Sequence, residues 1–473
     1  MEPQIIERAQ HPISRRDIDP NVLKVLYRLA RSGYTAYLVG GSVRDLMLGR
    51  KPKDFDVATS AHPHQVRELF RNSRLIGRRF RLVHVFFGPH NIEVATFRRQ
   101  AEAVVDDADL LIRHDNTFGT SEEDAFRRDF TVNALFYDPG TFRVIDYVGG
   151  VADLEARLIR TIGDPELRMR EDPVRMIRAV RFAAKLGFEI EAATRRAIEH
   201  HREEILKASR PRLVEEIYRT ITLPAAARAL VLMEQLGLLA VLIPRLSAHL
   251  RASGMELEDT LTARNLAALD AMISAGGEPG HAFVLACLFL DLCRASHEYV
   301  RGDHDRGLLG ELRGQGFARG DTEHMRLLVD AFELFHARAR RARRLTRRPY
   351  FDEASRLFNL LARNYGDDPA ELACFLASEG PHEHPRGPHL HREHAGSVGG
   401  AGGRRRRRRR GGRRHRGRRH REQHHGVVPV SAGGSGAETG AAGSAALTTH
   451  RHDGAPAASH AGHGPDGDRP RAH

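Results

Sequence analysis

Residues 37–58 read YLVGGSVRDLMLGRKPKDFDVA, and this stretch decides the fold around which the rest of the chain is organised. An apolar run leads into Gly40-Gly41-Ser42, an amphipathic segment follows as far as Gly49, and Asp54-Phe55-Asp56-Val57 ends the stretch. The pattern predicts a strand, a glycine turn, a short helix and a second strand. We expect the turn to hold a phosphate, because glycines let a backbone approach a ligand closely and the first N–H groups of a helix lack intrahelical partners.

An arginine and two carboxylates accompany the glycine turn. Arg44 lies one turn into the predicted helix and would offer the same anion a forked, charged donor. Alternate side chains of a strand point the same way about 7 Å apart, so we expect Asp54 and Asp56 on one face, where they can share hard divalent cations. A glycine turn or a D-x-D pair alone is more often an ordinary turn or solvated charge. Together and in this order they indicate a metal-dependent nucleotidyl transfer site.

A later segment, TSEEDAFRRDFTVNAL, adds charged residues to the same site. Thr120 and Glu123 have the spacing of a capping box, which predicts a helix carrying Arg128 and Asp129. Arg128 is placed to reach a ribose or a triphosphate, and Asp129 is placed to act as a third carboxylate. Glu93, on a predicted strand, is the other candidate for the third carboxylate. An ordinary surface ion pair is the simpler interpretation of Arg128 and Asp129, but consecutive helical residues do not face each other.

The segment EDPVRMIRAVRFAAKLG predicts a second helix with a basic stripe. Asp172 suits the N-cap, Pro173 the first helical position and Gly187 the C-terminal stop. Arginines three residues apart step back by about 60° around a helix, so they form a drifting stripe. Such a stripe, headed by an acid, can grip a triphosphate and read a base edge, whereas an exposed basic helix face is the simpler alternative. The stripe consists of Arg175, Arg178 and Arg181.

The positive charge of the chain is unevenly distributed. The 473 residues carry a formal net charge of +13, and residues 381–473 alone hold 18 arginines, no lysine and seven acidic residues. The preceding residues, enough for two or three domains, are therefore nearly neutral. Seven consecutive arginines at 404–410 predict a disordered tail that binds RNA weakly and without sequence preference. Further RNA contacts are predicted at Arg78, Arg79, Arg81, Arg343 and Arg344.

Cysteine usage and hydropathy point to a compartment. Cys287, Cys293 and Cys374 lie in apolar surroundings without a C-x-x-C pair, which favours buried free thiols in a reducing environment. The first residues contain no apolar core of signal-peptide length, and the most apolar run, residues 282–292, is too short to span a bilayer. We therefore expect a cytoplasmic protein that does not enter a membrane.

Four motifs in a fixed order carry a family resemblance. LVGGSVRD, KDFDVAT, RRDFTVNAL and EDPVRMIRAVRF follow one another, and the chain thereby resembles the class II family of bacterial poly(A) polymerases and tRNA CCA-adding nucleotidyltransferases. The likeness runs from residue 13 through the second helix and more weakly to about residue 377. Within the family, LIGRRFRLVHV, the ISRRDI lead-in and an arginine-rich tail are typical of the poly(A) polymerases.

The resemblance implies an α+β protein. An N-terminal nucleotidyltransferase domain of the polymerase-β-like kind, with a mixed sheet and helices, would precede an all-α neck and body and a disordered basic tail. The expected parts are a lead-in and helix at 1–34, the catalytic head at 35–155, a nucleotide-selecting and RNA-binding neck at 156–222, an RNA-binding body at 223–379 and the tail at 380–473.

The resemblance also implies a reaction and its residues. Asp54 and Asp56 would hold two Mg²⁺ ions, and Asp129 would complete the catalytic carboxylates. The implied reaction is template-independent addition of AMP from ATP to RNA 3′ ends; CCA addition to tRNA and a non-catalytic RNA-binding protein on the same fold are the alternatives. We expect a monomer and keep association with RNA-decay factors open. The nucleotide would contact Gly40, Gly41, Arg44, Arg128, Asp172, Arg175, Arg178 and Arg181.

Overall fold

An eight-stranded mixed sheet organises the first part of the chain. The computed structural model describes residues 2–77, 82–99, 117–296 and 307–378. The spatial order of the strands is β1-β8-β7-β2-β3-β6-β5-β4; β3 and β6 run parallel, and the other neighbours pair antiparallel. In chain order the strands are β1 Gln4–Ile6, β2 Ala36–Val39, β3 Asp56–Thr59, β4 Ser73–Ile76, β5 Leu82–Phe87, β6 His90–Thr96, β7 Leu135–Asp138 and β8 Arg143–Asp146.

Helices make up most of the described residues after residue 160. Two short strands, β9 Leu158–Ile159 and β10 Glu189–Ile190, form a separate parallel pair. The predicted α+β class, with a mixed sheet followed by helices, is confirmed. The helices are α1 Pro20–Arg31, α2 Gly41–Met47, α3 Pro63–Leu69, α4 Ser121–Phe126, α5 Gly150–Glu155, α6 Pro165–Glu171, α7 Val174–Leu186, α8 Ala192–His201, α9 Arg210–Ile221, α10 Ala226–Gln235, α11 Leu238–Leu242, α12 Pro244–Ala252, α13 Leu261–Ser274, α14 His281–Ala295, α15 Gly307–Gln315, α16 Arg319–His336, α17 Phe351–Leu361 and α18 Pro369–Ala377.

The stretch from β2 to β3 lies at the centre of the sheet, where both faces are covered. Side chains alternate along β2, so Leu38 packs into the large core beneath the helices, whereas Val39 packs into a smaller core on the other face. Phe97 and Phe136 complete the smaller core. Because both faces are buried, a one-residue slip of β2 would be costly, and the position of the glycine turn that follows is fixed.

Two segments of the chain form the edges of the sheet. In the lead-in, β1 forms one edge of the sheet, pairs with β8 and places Ile6 opposite Val144. The LIGRRFRLVHVFFG segment contributes to two strands, β4 at the other edge and β5, which pair antiparallel. Gly77 has a φ of +86°, a backbone conformation that ends β4 and that glycine adopts without strain. Arg78, Arg79 and Arg81 lie outside the described residues.

Helix boundaries also differ around the charged segments. The helix that begins after Thr120 ends at Phe126, so Arg128 and Asp129 follow it rather than lying on it. Asp172 does not N-cap the second helix; it ends α6, and Pro173 precedes Val174, the first residue of α7. Local competition explains the shift, because the helical run of α6 continues up to Asp172. Gly187, with a φ of +74°, ends α7 as predicted.

The remaining expectations concern cysteines, membranes and domains. Cys287 and Cys293 are buried in α14, but Cys374 is exposed, so the prediction of a buried thiol is wrong there. Among the described helices, none combines the length and apolar character that crossing a bilayer requires. Every described residue belongs to one compact unit, Met1–Pro385. The head, neck and body boundaries stay predictions.

Candidate active site

A cleft at one edge of β3 is lined by four carboxylates, of which Asp19 caps α1 and the other three lie at or next to the central strands. It lies between the start of α1, the residues that enter β3 and the hairpin joining β5 to β6. Asp54, Asp56 and Glu93 all face it, so a cluster of oxygen ligands is present at the end of the central strands. The lining residues are Asp19, Asn21, Val22, Lys53, Asp54, Phe55, Asp56, Phe87, Pro89, His90, Asn91, Ile92 and Glu93.

The parallel pairing of β3 with β6 places Glu93 beside the aspartates. Asp56, the first residue of β3, is in register with Glu93 of β6. Asp54 precedes β3, so the expected alternation of two aspartates within one strand is wrong, although both residues line the cleft. Glu93 also contacts His84 of the neighbouring strand, with 3.3 Å between a carboxylate oxygen and Nε2. The register therefore supplies the third acidic group to the cleft.

The electrostatics of the cleft favour a bound cation. The pKa of the Asp56 carboxyl is raised to about 6, chiefly because the group has lost water; Glu93 and Asp54 also raise it, and Arg128 opposes the rise. A group that is costly to ionise beside two other carboxylates is stabilised by a positive ion. Carboxylate oxygens are the ligands that Mg²⁺ prefers, so the donor set fits that ion.

The glycine turn lies directly against two guanidinium groups. Gly40 has a φ of +72°, and a Cβ added there would lie 3.1 Å from Nη1 of Arg128. A Cβ on Gly41 would lie 3.5 Å from Nη2 of Arg44. The backbone conformation at Gly40 and the close approach of Arg128 both require the missing side chain. The structure thus brings together the glycines and arginines that the sequence predicts for one anion site.

Both arginines already have protein partners. Arg44 is buried, with 2% of its surface exposed, and donates to Asp45 at 2.7 Å and to the side-chain oxygen of Asn133 at 2.5 Å. Arg44 therefore stabilises the glycine turn, and its donors are engaged within the protein instead of being free to bind an anion. Arg128 donates to Asp124 at 2.9 Å and to the backbone oxygen of Asn133 at 3.2 Å. The pair of Asp124 and Arg128 could have been predicted from the sequence, because four residues is a helical spacing. The pair of Asn133 and Arg44 could not, because the two residues are far apart in the sequence.

Asp129 does not share partners with the carboxylates of the cleft. One carboxylate oxygen accepts from Nη2 of Arg178 at 2.5 Å, and the other accepts from the side-chain amide of Asn133 at 3.1 Å. Burial alone would raise the pKa of Asp129, but Arg178 and the hydrogen bond from Asn133 lower it to about 2. Asp129 is also not among the residues that line the cleft.

The arginine stripe of α7 faces acidic residues of neighbouring helices. Glu216 of α9 contacts Arg178 at 3.2 Å and Arg181 at 2.9 Å. Arg175 donates to the backbone oxygen of Arg168 at 3.0 Å and lies 3.5 Å from Glu171. The alternative of an exposed basic helix face is therefore wrong. Nothing in the local sequence links α7 to Glu216, because the pairing depends on how α9 packs.

Asp172 is held by a residue that the sequence did not single out. Arg212 of α9 donates to both carboxylate oxygens, at 3.1 Å and 2.9 Å. Such a bidentate pair fixes the plane of the carboxylate as well as its position. The hinge between α6 and α7 is thereby tied to α9.

Of the two later arginines predicted to contact RNA, Arg343 is hydrogen-bonded within the protein and Arg344 is exposed. Arg343 donates to the backbone oxygen of Phe375 at 3.3 Å and to Ser378 at 2.7 Å. It links the 3-10 helix Arg340–Arg347 to α18 and is partly used by the fold. Arg344 is exposed and remains available to solvent.

Comparison with protein families identifies two segments of the chain. Residues 36–160 match the model described as "Poly A polymerase head domain". Residues 187–250 match "Probable RNA and SrmB-binding site of polymerase A". The first segment contains the whole cleft except the start of α1, and the second begins at the end of α7.

Relatives and a solved structure agree with this pattern. Poly(A) polymerase I of Escherichia coli O6:H1 is 47% identical over 292 residues, which are 60% of this chain and 63% of that protein. Poly(A) polymerase I of Haemophilus influenzae is 40% identical, covering 63% of this chain and 68% of that protein. The crystal structure of the Bacillus stearothermophilus CCA-adding enzyme in complex with CTP matches with a TM-score of 0.54 at 28% identity, covering 76% of this chain and 82% of that one.

Proposed function

Because the chain belongs to the family of bacterial poly(A) polymerases and CCA-adding nucleotidyltransferases, we propose that it adds AMP from ATP to RNA 3′ ends without a template. The observation that carries this proposal is the register of Asp56, which lies opposite Glu93 on one side and opposite Val39, the residue before Gly40, on the other, in one cleft with Asp54. A cluster of acidic ligands next to an anion site is what transfer of a nucleotide requires.

Three of the cleft carboxylates are the proposed metal ligands. Asp54, Asp56 and Glu93 would hold two Mg²⁺ ions, which supply a lowered pKa for the attacking hydroxyl and neutralise the triphosphate. Glu93 replaces Asp129 as the proposed third carboxylate, because Glu93 shares the cleft and raises the pKa of Asp56. With both oxygens engaged and a pKa of about 2, Asp129 is poorly suited to accept a proton; its proposed role is to position Arg178 and Asn133.

The bond changes define what the protein must hold in place. The RNA 3′-oxygen forms a bond to the α-phosphorus of ATP while the bond to pyrophosphate breaks, so the phosphates must lie between the cleft and the glycine turn. The backbone at Gly40 and Gly41 and the guanidinium of Arg128 are the proposed triphosphate contacts, with Arg44 holding the turn. Arg178 and Arg181 are further proposed triphosphate contacts, for which they would have to exchange Glu216 for phosphate oxygens.

Base selection is assigned to the junction of α6 and α7. Asp172 and Arg175 offer an acceptor and a donor to a base edge, and adenine presents both an acceptor and a donor there. Arg212 fixes the plane of the Asp172 carboxylate, which would make the geometry of recognition rigid. RNA 3′ ends are the proposed partner; a monomeric state and association with RNA-decay factors stay predictions.

The second candidate is CCA addition to tRNA by the same site. It is favoured by the match to a CCA-adding enzyme solved with CTP. Polyadenylation is supported by the 47% identity over 292 residues to the poly(A) polymerase I of Escherichia coli O6:H1. The arginine-rich segment at 404–410 also fits an enzyme that holds many RNA sequences by charge.

Nucleotide incorporation separates the two candidates. The full-length protein is incubated with Mg²⁺ and either ATP or CTP, using a generic RNA primer in one reaction and tRNA lacking its 3′ CCA in the other. We expect long tails from ATP on both RNAs and little use of CTP. Incorporation of CTP followed by arrest after three additions would instead support CCA addition. No incorporation of either nucleotide would favour the non-catalytic RNA-binding protein.

A further inference from the structure

A cluster of one glutamate and two histidines lies outside the proposed active site. Glu166 is in the first turn of α6, and His200 and His201 end α8. Within the part of the chain that the structure describes, this is the only group of at least three His, Cys, Asp or Glu residues whose ligand atoms all lie within 4.8 Å of one another. None of its members lines the cleft that contains Asp54 and Asp56.

The three side chains converge on one carboxylate oxygen. Oε2 of Glu166 lies 3.1 Å from Nδ1 of His200 and 2.6 Å from Nε2 of His201. Consecutive residues of a regular helix point about 100° apart, so two neighbouring histidines do not normally share a partner. Here the helix ends: His201 has a φ of −99° and a ψ of 12°, and the two rings stack with 4.5 Å between their centroids.

We propose that Glu166, His200 and His201 bind a zinc-class transition-metal ion that joins α6 to α8. Two imidazole nitrogens and one carboxylate oxygen are ligands that Zn²⁺ accepts, and water can fill the fourth position. Ligand atoms in a tetrahedral zinc site lie about 3.3 Å apart, given metal–ligand bonds of about 2.0 Å. The glutamate oxygen lies 3.1 Å and 2.6 Å from the two ring nitrogens, which is close to that value, and all three ligand atoms lie within 4.8 Å of one another.

Exposure gives the ion a route to the site. The His200 side chain is 73% exposed and that of Glu166 is 47% exposed, whereas His201 is 15% exposed. One ligand is therefore fixed by packing while the other two can adjust. The exposed side leaves space for the water ligand that completes the coordination.

The site would act on the fold and not on the reacting atoms. Arg168, two residues after Glu166 on α6, donates to the backbone oxygens of Arg127 at 2.8 Å and Arg128 at 2.6 Å. A metal bridge at the start of α6 would therefore steady the helix that holds the backbone of Arg128. The bridge is a positioning element for the candidate nucleotide site, and its metal affinity can be tested without nucleotide or RNA.

The experiment must distinguish this cluster from the other histidines of the chain. Residues 380–473 contain 14 histidines that can bind metal on their own, so total zinc content is not informative. We would modify the full-length protein with diethyl pyrocarbonate at increasing free Zn²⁺, set by a chelator, and quantify each histidine by peptide mass spectrometry. His200 and His201 should become protected together, at a free Zn²⁺ concentration that E166Q raises by at least about tenfold.

The matched control is E353Q, which removes the carboxylate from a pair of only two residues. Glu353 lies 2.9 Å from Nε2 of His324. This variant should leave the protection of His200 and His201 unchanged. The proposal is overturned if the two histidines are not protected in the wild-type protein, or if E166Q protects them as well as the wild type does.

A second measurement reports on the bridge itself. Addition of Zn²⁺ should raise the Tm of the wild-type protein by about 2 °C more than it raises the Tm of E166Q, because a ligand that binds only the folded state stabilises that state. Binding to the histidines beyond residue 380 would affect both proteins alike. An equal rise in both would therefore contradict a bridge between α6 and α8.

Discussion

At the scale of single residues, Asp56 links the chemistry of the cleft to the stability of the fold. Its pKa of about 6 lies above the ordinary aspartate value of 3.8. Below pH 3.8 the group is protonated in both the folded and the unfolded state and has no effect on stability. Between pH 3.8 and about 6 only the unfolded state ionises freely, so the folded state is increasingly disfavoured, and above pH 6 the penalty is complete.

Replacing Asp56 with Asn should therefore stabilise the protein while removing activity. We expect the Tm of D56N to exceed that of the wild type by about 1–2 °C at pH 8 and by less at pH 5, a modest shift because Asp56 keeps an exposed side. Thermal unfolding in the presence of EDTA measures the Tm difference at each pH. The exposed Asp17 provides the control, since D17N should leave the Tm unchanged at both pH 8 and pH 5. A D56N protein no more stable than the wild type at pH 8 would contradict the electrostatic account.

Glu93 and Asp129 should differ in what their loss affects. E93Q removes a proposed metal ligand from the cleft, so we expect tailing activity to fall by about a hundredfold or more while stability is kept. D129N leaves Arg178 with only Glu216 as an acidic partner and should lower the free energy of unfolding by about 2–3 kcal/mol. Steady-state tailing assays and urea unfolding at pH 7 measure the two effects.

The pH dependence of stability gives the same comparison a second readout. The lowered pKa of Asp129 stabilises the fold above pH 3.8, and this stabilisation is lost as the pH falls towards 2. The stability difference between wild type and D129N should shrink over that range. If E93Q proves the unstable variant and D129N the inactive but stable one, the assignment of the third carboxylate reverts to Asp129.

At the scale of elements, the turn between β2 and α2 depends on glycine for two separate reasons. Gly40 combines a φ of +72° with the approach of Arg128, whereas Gly49, at the end of the same segment, has a φ of +66° and no atom within 4 Å of an added Cβ. An alanine at either position is strained by about 1–2 kcal/mol. Only at Gly40 would it also displace a guanidinium.

We therefore expect G40A and G49A to lose similar stability and very different activity. Tailing by G40A should fall by about tenfold or more, because a Cβ 3.1 Å from Nη1 of Arg128 makes that guanidinium shift, and a displaced positioning group lowers the rate. G49A should retain most of its activity. The KM for ATP, measured for both variants alongside their Tm values, distinguishes the effects. Equal losses of activity would show that the turn acts through backbone strain alone.

Elements whose signals are local were predictable, and elements defined by distant partners were not. The glycine turn, the aspartates and the end of α7 at Gly187 follow from spacing and from the conformational freedom of glycine. Strand β1 exists because Ile6 pairs with Val144, more than a hundred residues away. The partners Glu216 and Arg212 likewise come from the packing of α9 against α7. Glu93 became the stronger candidate for third carboxylate only through the register of β3 with β6.

At the scale of the whole molecule, charge is separated from the candidate catalytic part. Residues 381–473 supply most of the net charge of +13, and the arginines at 404–410 are its densest run. Replacing these seven arginines with serine in the full-length protein should weaken RNA binding at low salt. The slope of log K against log salt concentration should fall by up to about 5, given about 0.7 per phosphate contact on a single strand.

The control for this effect on RNA binding is the tailing activity of the same serine variant. Tailing of a primer at saturating RNA should be little changed in the serine variant, because its cleft is intact. Filter binding at several salt concentrations gives the slope, and an unchanged slope would show that the arginines do not contact RNA.

The measurement that tests the central claim most directly is tailing by the D54A/D56A double variant. The full-length variant is incubated with ATP, Mg²⁺ and an RNA primer, beside the wild type and D17A. Loss of the two cleft aspartates should reduce AMP incorporation by at least about a thousandfold, whereas D17A should tail normally. Unchanged tailing by a folded D54A/D56A protein would contradict the proposal that the cleft beside the glycine turn is where nucleotides are transferred.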